Sequence, residues 1–393
     1  MASTHDTRRL ELVDSLRGFA LLGLFLVHCV EKFELYWANP TGGPVFDWVF
    51  GIFAGKSYAL FALCFGLSFF LIMDGAARRG EDFRGRFVWR LVLLLFIGFV
   101  HGLLYRGDIL VVLATLGLLM PLFDRVRSNR LLLVLAGLCF LQLPLLFRAI
   151  AAANGAPWAL QPPLFTLDTT MPALTGGSFM DVVRANLVTG QVSKWSFYAE
   201  TGRLTQIIGL FLVGLVLGRS RFFRELDRYR RVRRTALVLA IAASLLFWFA
   251  GPVLLEKIAG PDAPGRPHLQ WALDAWTALS IMTVQVLLFV AIFQTGARPV
   301  LAALAAPGRM TLTLYVLQSV IFVPVFYGFG LGLWDKVTLA QCLWIGIVAF
   351  GVQIVAAHLW FRAFRYGPLE WAWRAATRMT LNIPFRAPQA VSA

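Results

Sequence analysis

The chain has 393 residues, 59% of them hydrophobic and only 15% charged. A soluble domain carries about 25% charged and about 45–50% apolar residues, so this composition excludes a soluble globular protein and, more strongly, a disordered one. A net charge of +15 would suit a nucleic-acid binder, but the placement of that charge along the chain argues against it.

Mean hydropathy is +0.71, and a bilayer-spanning helix needs about 20 apolar residues. The expected fold is therefore all-α, a polytopic bundle of about ten membrane spans. They fall near residues 15–34, 57–73, 88–104, 109–123, 131–148, 204–218, 235–254, 271–294, 310–330 and 338–361. Arg8 and Arg9 precede the apolar stretch Gly18–His28 as they would in a signal peptide. Glu31, Lys32 and Glu34 then stand where a small-residue cleavage site would lie, so the first span is expected to be retained.

The segments 1–17, 78–90, 124–130, 219–234, 297–309 and 362–393 hold 26 of the 36 Lys+Arg. Basic residues are kept on the cytoplasmic face of membrane proteins. Both termini are thus expected in the cytoplasm, and the run Arg219–Arg234 reads as a topology determinant, with no nucleic acid as partner. The expected organisation is N-terminal transmembrane helices over 1–149, a periplasmic segment over 150–203, C-terminal transmembrane helices over 204–361 and a cytoplasmic interfacial tail over 362–393. In the periplasmic segment Pro157, Pro162, Pro163, Pro172, Gly176 and Gly177 break any spanning helix, and Phe179–Ala199 suits one or two interfacial helices. In the tail, Gly367-Pro368-Leu369-Glu370 opens a helix, with Pro in the first turn and a carboxylate near its positive end. Cys29, Cys64, Cys139 and Cys342 each lie in apolar runs outside any CxxC or Cys/His pattern, which indicates neither a disulfide framework nor a metal site.

Ionisable groups are costly inside a bilayer, so their positions mark candidate function. Asp14 and Arg17 are one helical turn apart at the start of the first span. They form a solvated ion pair, or Arg17 turns toward an anionic cytosolic ligand. His28 lies eleven residues beyond Arg17, and His101 eleven beyond Arg90, each about 16 Å along a helix. Both imidazoles then reach the outer half of the membrane. Arg106 and Asp108 follow in the turn Tyr105-Arg106-Gly107-Asp108, where Gly107 is expected to supply backbone freedom for a tight reversal. With that reversal Asp108 can stand beside His101. A carboxylate orienting an imidazole is the layout of a general base or a nucleophilic histidine; an interfacial ion-pair network is the competing reading.

Lys56 opens the second span and suits snorkelling to the headgroups. Tyr315, Gln318 and Ser319 share one face of the ninth span. Helix–helix hydrogen bonding and a substrate-lining surface both fit that stripe.

These residues sit in stretches that resemble the YeiB family of bacterial inner-membrane proteins over nearly the whole chain. The resemblance is carried by Leu12-Val13-Asp14-Ser15-Leu16-Arg17-Gly18-Phe19-Ala20-Leu21-Leu22-Gly23, by Lys56-Ser57-Tyr58-Ala59-Leu60-Phe61-Ala62-Leu63-Cys64-Phe65-Gly66 and by Gly98-Phe99-Val100-His101-Gly102 with Gly107-Asp108-Ile109-Leu110. It continues in Gly308-Arg309-Met310-Thr311-Leu312-Thr313 with Tyr315 and Gln318-Ser319, and in Gly367-Pro368-Leu369-Glu370-Trp371. The family's C-terminal half is known chiefly as a domain of unknown function. Its opening motif is similar to that of heparan-alpha-glucosaminide N-acetyltransferase and related transmembrane acyltransferases. This chain departs from the pattern at His28, where the family usually carries Asn, and at Leu314, which replaces the Asn of a Thr-Asn-Tyr motif.

The resemblance implies acyl transfer across the bacterial inner (plasma) membrane, from cytosolic acyl-CoA (acetyl-CoA) to an acceptor such as an envelope glycan. In that reading His101, Asp108 and His28 are catalytic. Arg106, Lys56, Tyr315 and Gln318 bind the acceptor, while Asp14, Arg17, Arg90 and Arg309 hold the coenzyme's phosphates, with no metal. Membrane lipids are the expected surroundings, and a homodimer is compatible with the sequence. A transporter or permease of a small solute, or a non-catalytic membrane organiser, would use the same charges differently.

Overall fold

The computed structural model describes residues 4–387. The outermost parts of the expected cytoplasmic ends, 1–3 and 388–393, lie outside the described residues, as do the side chains of Arg8 and Arg9. The first half comprises α1 (Thr4–Val30), α2 (Pro44–Ile52), α3 (Ser57–Ala77), α4 (Arg84–Leu104), α5 (Leu110–Gly117), α6 (Met120–Asp124), α7 (Asn129–Phe140) and α8 (Leu143–Ala153). The segment 150–203, expected to be periplasmic, folds as α9 (Met171–Gly176), α10 (Phe179–Leu187) and α11 (Thr189–Glu200). The second half holds α12 (Arg203–Arg219), α13 (Arg230–Leu245), α14 (Gly251–Ile258), α15 (Arg266–Phe293), α16 (Arg298–Ala302), α17 (Ala305–Arg309), α18 (Thr311–Phe326), α19 (Leu339–Ala363) and the tail helix α20 (Pro368–Arg378).

The all-helical bundle expected from composition is what is observed, with seven helical segments among the described residues long and apolar enough to cross a membrane. The number rises to nine if two bent pairs each count as one span: α11 with α12, bent by 67°, and α16–α17 with α18, bent by 79°. The stretch 109–123 is apolar enough for a span but is divided into α5 and α6. Gly117 ends the first, and Pro121 cannot continue it.

The first span is the centre of the bundle. About 72% of its apolar window is buried, against 11% for the segment Arg230–Ile258 at the rim. Glycines permit the closest helix contacts, as in other membrane bundles. A side chain at Gly66 would strike the backbone of Phe211, and one at Gly214 the backbone of Leu63, so α3 and α12 meet almost backbone to backbone. Gly308 presses on the Asp14 carbonyl and Gly18 on that of Leu304, which seats α17 against the charged start of the first span.

Candidate active site at one end of the bundle

Three elements bring the imidazoles together. α1 carries Arg17 at its middle and His28 in its last turn, and α4 carries Arg90 in its first half and His101 in its last turn. After α4 the chain reverses through Tyr105-Arg106-Gly107-Asp108, closed by the Asp108 N–H donating to the Tyr105 carbonyl at 3.2 Å. His101 Nδ1 then lies 2.7 Å from Asp108 Oδ1, with both side chains buried. Asp108 Oδ2 accepts the Val111 backbone N–H at 2.9 Å, so both carboxylate oxygens are committed. A carboxylate can only accept, so Nδ1 carries the imidazole proton and Nε2 keeps its lone pair. That Nε2 is buried without a hydrogen-bond partner.

Gly107 is needed for a different reason than backbone freedom. Its φ is not positive; a side chain there would collide with Glu34 and with the Tyr105 ring. The turn is tight because two side chains, Glu34 and Tyr105, crowd onto it.

His28 faces the same level, 5.2 Å from the Tyr105 ring and 6.2 Å from that of Tyr315. Tyr315 lies 5.1 Å from the His101 ring, and its hydroxyl accepts the Ile109 N–H at 3.2 Å. Gln318 donates to Gln353 at 2.8 Å and leaves its own carbonyl oxygen without a partner. His28, His101, Asp108 and Tyr315 therefore form one group. Lys56 stands apart from it, donating to the Phe50 carbonyl at 3.0 Å, with Asp274 and Arg203 as its charged neighbours.

Arg106 is held from three directions. It donates to Glu34 at 2.9 Å, to Thr170 at 2.6 Å and to Asp168. Glu34 also accepts the Tyr105 hydroxyl at 3.1 Å. It reaches this place because Lys32, Phe33 and Glu34 have φ of 52°, 50° and 83°, a left-handed turn directly after α1. Such a conformation costs L residues roughly 1–2 kcal/mol each. Packing offsets the cost, since Phe33 is completely buried between His28 and Tyr105, each 5.3 Å away. Asp168 and Lys194, absent from the sequence reading, come from the segment expected to be periplasmic, and Glu34, read there only against a cleavage site, comes from the end of the first expected span.

At the opposite end, Arg17 pairs with Asp14 at 3.1 Å and also donates to Ser68. Arg90 stacks 3.6 Å over the Trp373 ring, and Trp373 donates to the Arg90 carbonyl at 2.8 Å. Arg309 lies 3.9 Å over Phe361. Arg17, Arg374 and Arg378 are all within electrostatic range of Arg90, and Arg309 is within range of Asp14. The expected phosphate-binding cations thus share one positively charged end, separated from the imidazoles by the apolar length of the bundle. Among the described residues no group of three or more His, Cys, Asp or Glu is arranged to hold a metal ion.

Two family matches divide the chain into an N-terminal and a C-terminal part. Residues 9–171 match the catalytic domain of heparan-alpha-glucosaminide N-acetyltransferase, and residues 217–380 match a protein family of unknown function, DUF418. YxaH of Bacillus subtilis is 28% identical, with 96% of each chain covered. YeiB of Escherichia coli is also 28% identical, over 93% of this chain and 95% of its own. This chain is a YeiB-like protein. A 39.9 kDa protein encoded in the amylase 3′ region of Bacillus acidopullulyticus is 26% identical over 94% of both chains. The imidazoles, Arg106 and Asp108 fall in the acetyltransferase-like region, Tyr315 and Gln318 in the DUF418 region. The group around His101 is therefore assembled from both.

Proposed function

We propose that this multi-span membrane protein is an acyltransferase. It takes an acyl group from cytosolic acyl-CoA, acetyl-CoA in the simplest case, and delivers it to a hydroxyl or amine at the outer face of the bacterial inner membrane. The observation that carries this reading is the buried His101–Asp108 pair with an uncommitted Nε2. The likeness of residues 9–171 to an acetyltransferase catalytic domain supports it.

In this reading the acceptor's O–H or N–H meets Nε2 of His101. As the acceptor atom bonds to the thioester carbonyl carbon, its proton passes to Nε2, and Asp108 stabilises the imidazolium through Nδ1–H. The tetrahedral adduct collapses with cleavage of the C–S bond, and His101 returns the proton to the sulfur, releasing CoA. Tyr315 and His28 pack around the base. Gln318, with its free carbonyl oxygen, offers a contact for a polar acceptor such as an envelope glycan. Arg17, Arg90 and Arg309, with Asp14 orienting Arg17, receive the CoA phosphates.

Proteoliposomes given acetyl-labelled acetyl-CoA test this directly, with glucosamine as acceptor on the opposite side. CoA release with labelled acceptor is the expected outcome. Uptake of solute without thioester cleavage would favour a permease instead. Reporter fusions after Arg230 should report cytoplasm, and those near Gly176 periplasm.

A further inference from the structure

α11 meets the chain around the end of α4 at two points: Gly190 lies against Arg106, in the turn after α4, and Lys194 lies near Gly102, in the last turn of α4. A Cβ built at Gly102 would sit 3.8 Å from Lys194 Nζ and 3.9 Å from Asp108 Cβ. The lysine head group is therefore near the residue that follows His101 in the chain, and a side chain at 102 would touch both Lys194 and Asp108. Gly190, Lys194 and Tyr198 form a buried stripe at i, i+4 and i+8. The bend at Gly202, where φ is 73°, tips this stripe into the bundle.

Lys194 is 94% buried by its 6% exposure, and its Nζ has no hydrogen-bond partner. A buried, unpaired ammonium is costly to retain. Two other cations at this end are engaged by hydrogen bonds: Arg106 by two carboxylates and a hydroxyl, Lys56 by a backbone carbonyl. Asp108 and Glu34 act on Lys194 through space but do not hydrogen-bond to it. A preorganised positive charge beside a general base has most effect where negative charge develops in the transition state.

We infer that Lys194 is a further catalytic residue, whose ammonium receives the oxyanion formed at the acyl carbonyl. The inference rests on the acyltransferase reading above. When the acceptor bonds to the carbonyl carbon, the C=O π pair moves onto oxygen and the Lys194 N–H donates to it. On collapse the pair returns to re-form C=O, the C–S bond breaks, and the sulfur takes the proton held by His101. Lys194 keeps all its protons throughout.

The test uses the full-length protein in proteoliposomes, with acetyl-CoA as donor and glucosamine as acceptor. Loss of one oxyanion donor costs about 10²–10³-fold in kcat. Lys194→Met should show a loss of that size with KM for acetyl-CoA unchanged and thermal unfolding near that of the wild type. Lys194→Arg should recover part of the rate, and ethylammonium should partly rescue Lys194→Ala. Full kcat in Lys194→Met overturns the assignment. So does a raised acceptor KM with kcat retained, or a loss of activity that parallels unfolding and resists rescue. An active wild type with those results leaves the acyltransferase reading standing, whereas an inactive wild type overturns both.

Discussion

Glu370 accepts both the backbone N–H of Thr313, at 3.1 Å, and its hydroxyl, at 2.5 Å. The same carboxylate takes the Leu312 N–H at 2.7 Å, and the Thr313 hydroxyl accepts the Leu369 N–H at 3.0 Å. The tail helix α20 therefore caps the start of α18, the helix that carries Tyr315 and Gln318. Burial holds the Glu370 carboxyl above its ordinary pKa, outweighing the hydrogen bonds from Thr313 and Leu312 that pull it down. A raised folded-state value stabilises the fold most below the unfolded pKa, and that contribution is lost as pH rises through the folded value. Glu370→Gln should therefore gain on the wild type in thermal stability as pH rises from about 4 toward neutrality. Glu370→Ala should cost about 1–2 kcal/mol, as for the loss of a helix cap. Thermal melts at several pH values check both.

Arg106 is bound by its carboxylates too completely to be free for substrate. Removing one partner of a buried ion pair costs about 3–5 kcal/mol, because the other charge is left uncompensated. Arg106→Ala should fall near the lower end of that range, since the Glu34 and Asp168 side chains are 23% and 13% exposed. Unfolding in detergent measures this. An unchanged melting temperature with a raised acceptor KM would return Arg106 to the acceptor-binding role expected from the sequence.

At the positively charged end, Arg17→Gln should weaken CoA binding roughly tenfold, the loss of about 1.4 kcal/mol. Asp14 would lose its partner, but the pair is partly exposed, so the fold should persist. Calorimetric titration with CoA reads the change. Unchanged affinity would leave Arg17 as a structural partner of Asp14 and Ser68.

What was legible in the sequence was local. Asp14 and Arg17 meet because they are one turn apart on a continuous helix, and His101 meets Asp108 because the intervening reversal is short. The matched depth of His28 and His101 followed from equal spacing to Arg17 and Arg90. What escaped notice depended on chain paths that periodicity does not encode. Glu34 reaches Arg106 only through three consecutive left-handed residues, none of them glycine. Lys194 reaches the site only because the α11–α12 pair is bent by 67°, in a segment whose prolines read as an outer loop. One signal was present: only five of the 36 Lys+Arg are lysines, and Lys194 lies between apolar and aromatic residues, far from the arginine-rich runs. The 109–123 stretch misled in the opposite sense, because hydropathy does not weigh the break at Gly117 and Pro121.

The rate of acyl transfer from acetyl-CoA in His101→Ala, measured beside the wild type with folding monitored in parallel, tests the central claim most directly. A general base contributes about 10²–10⁴-fold. A loss in that range with unchanged thermal unfolding is the expected result, accompanied by a severe loss in Asp108→Asn, which retains the shape but not the charge that orients Nδ1–H. A rate within twofold of the wild type in His101→Ala would contradict it and reduce the His101–Asp108 pair to a buried structural contact.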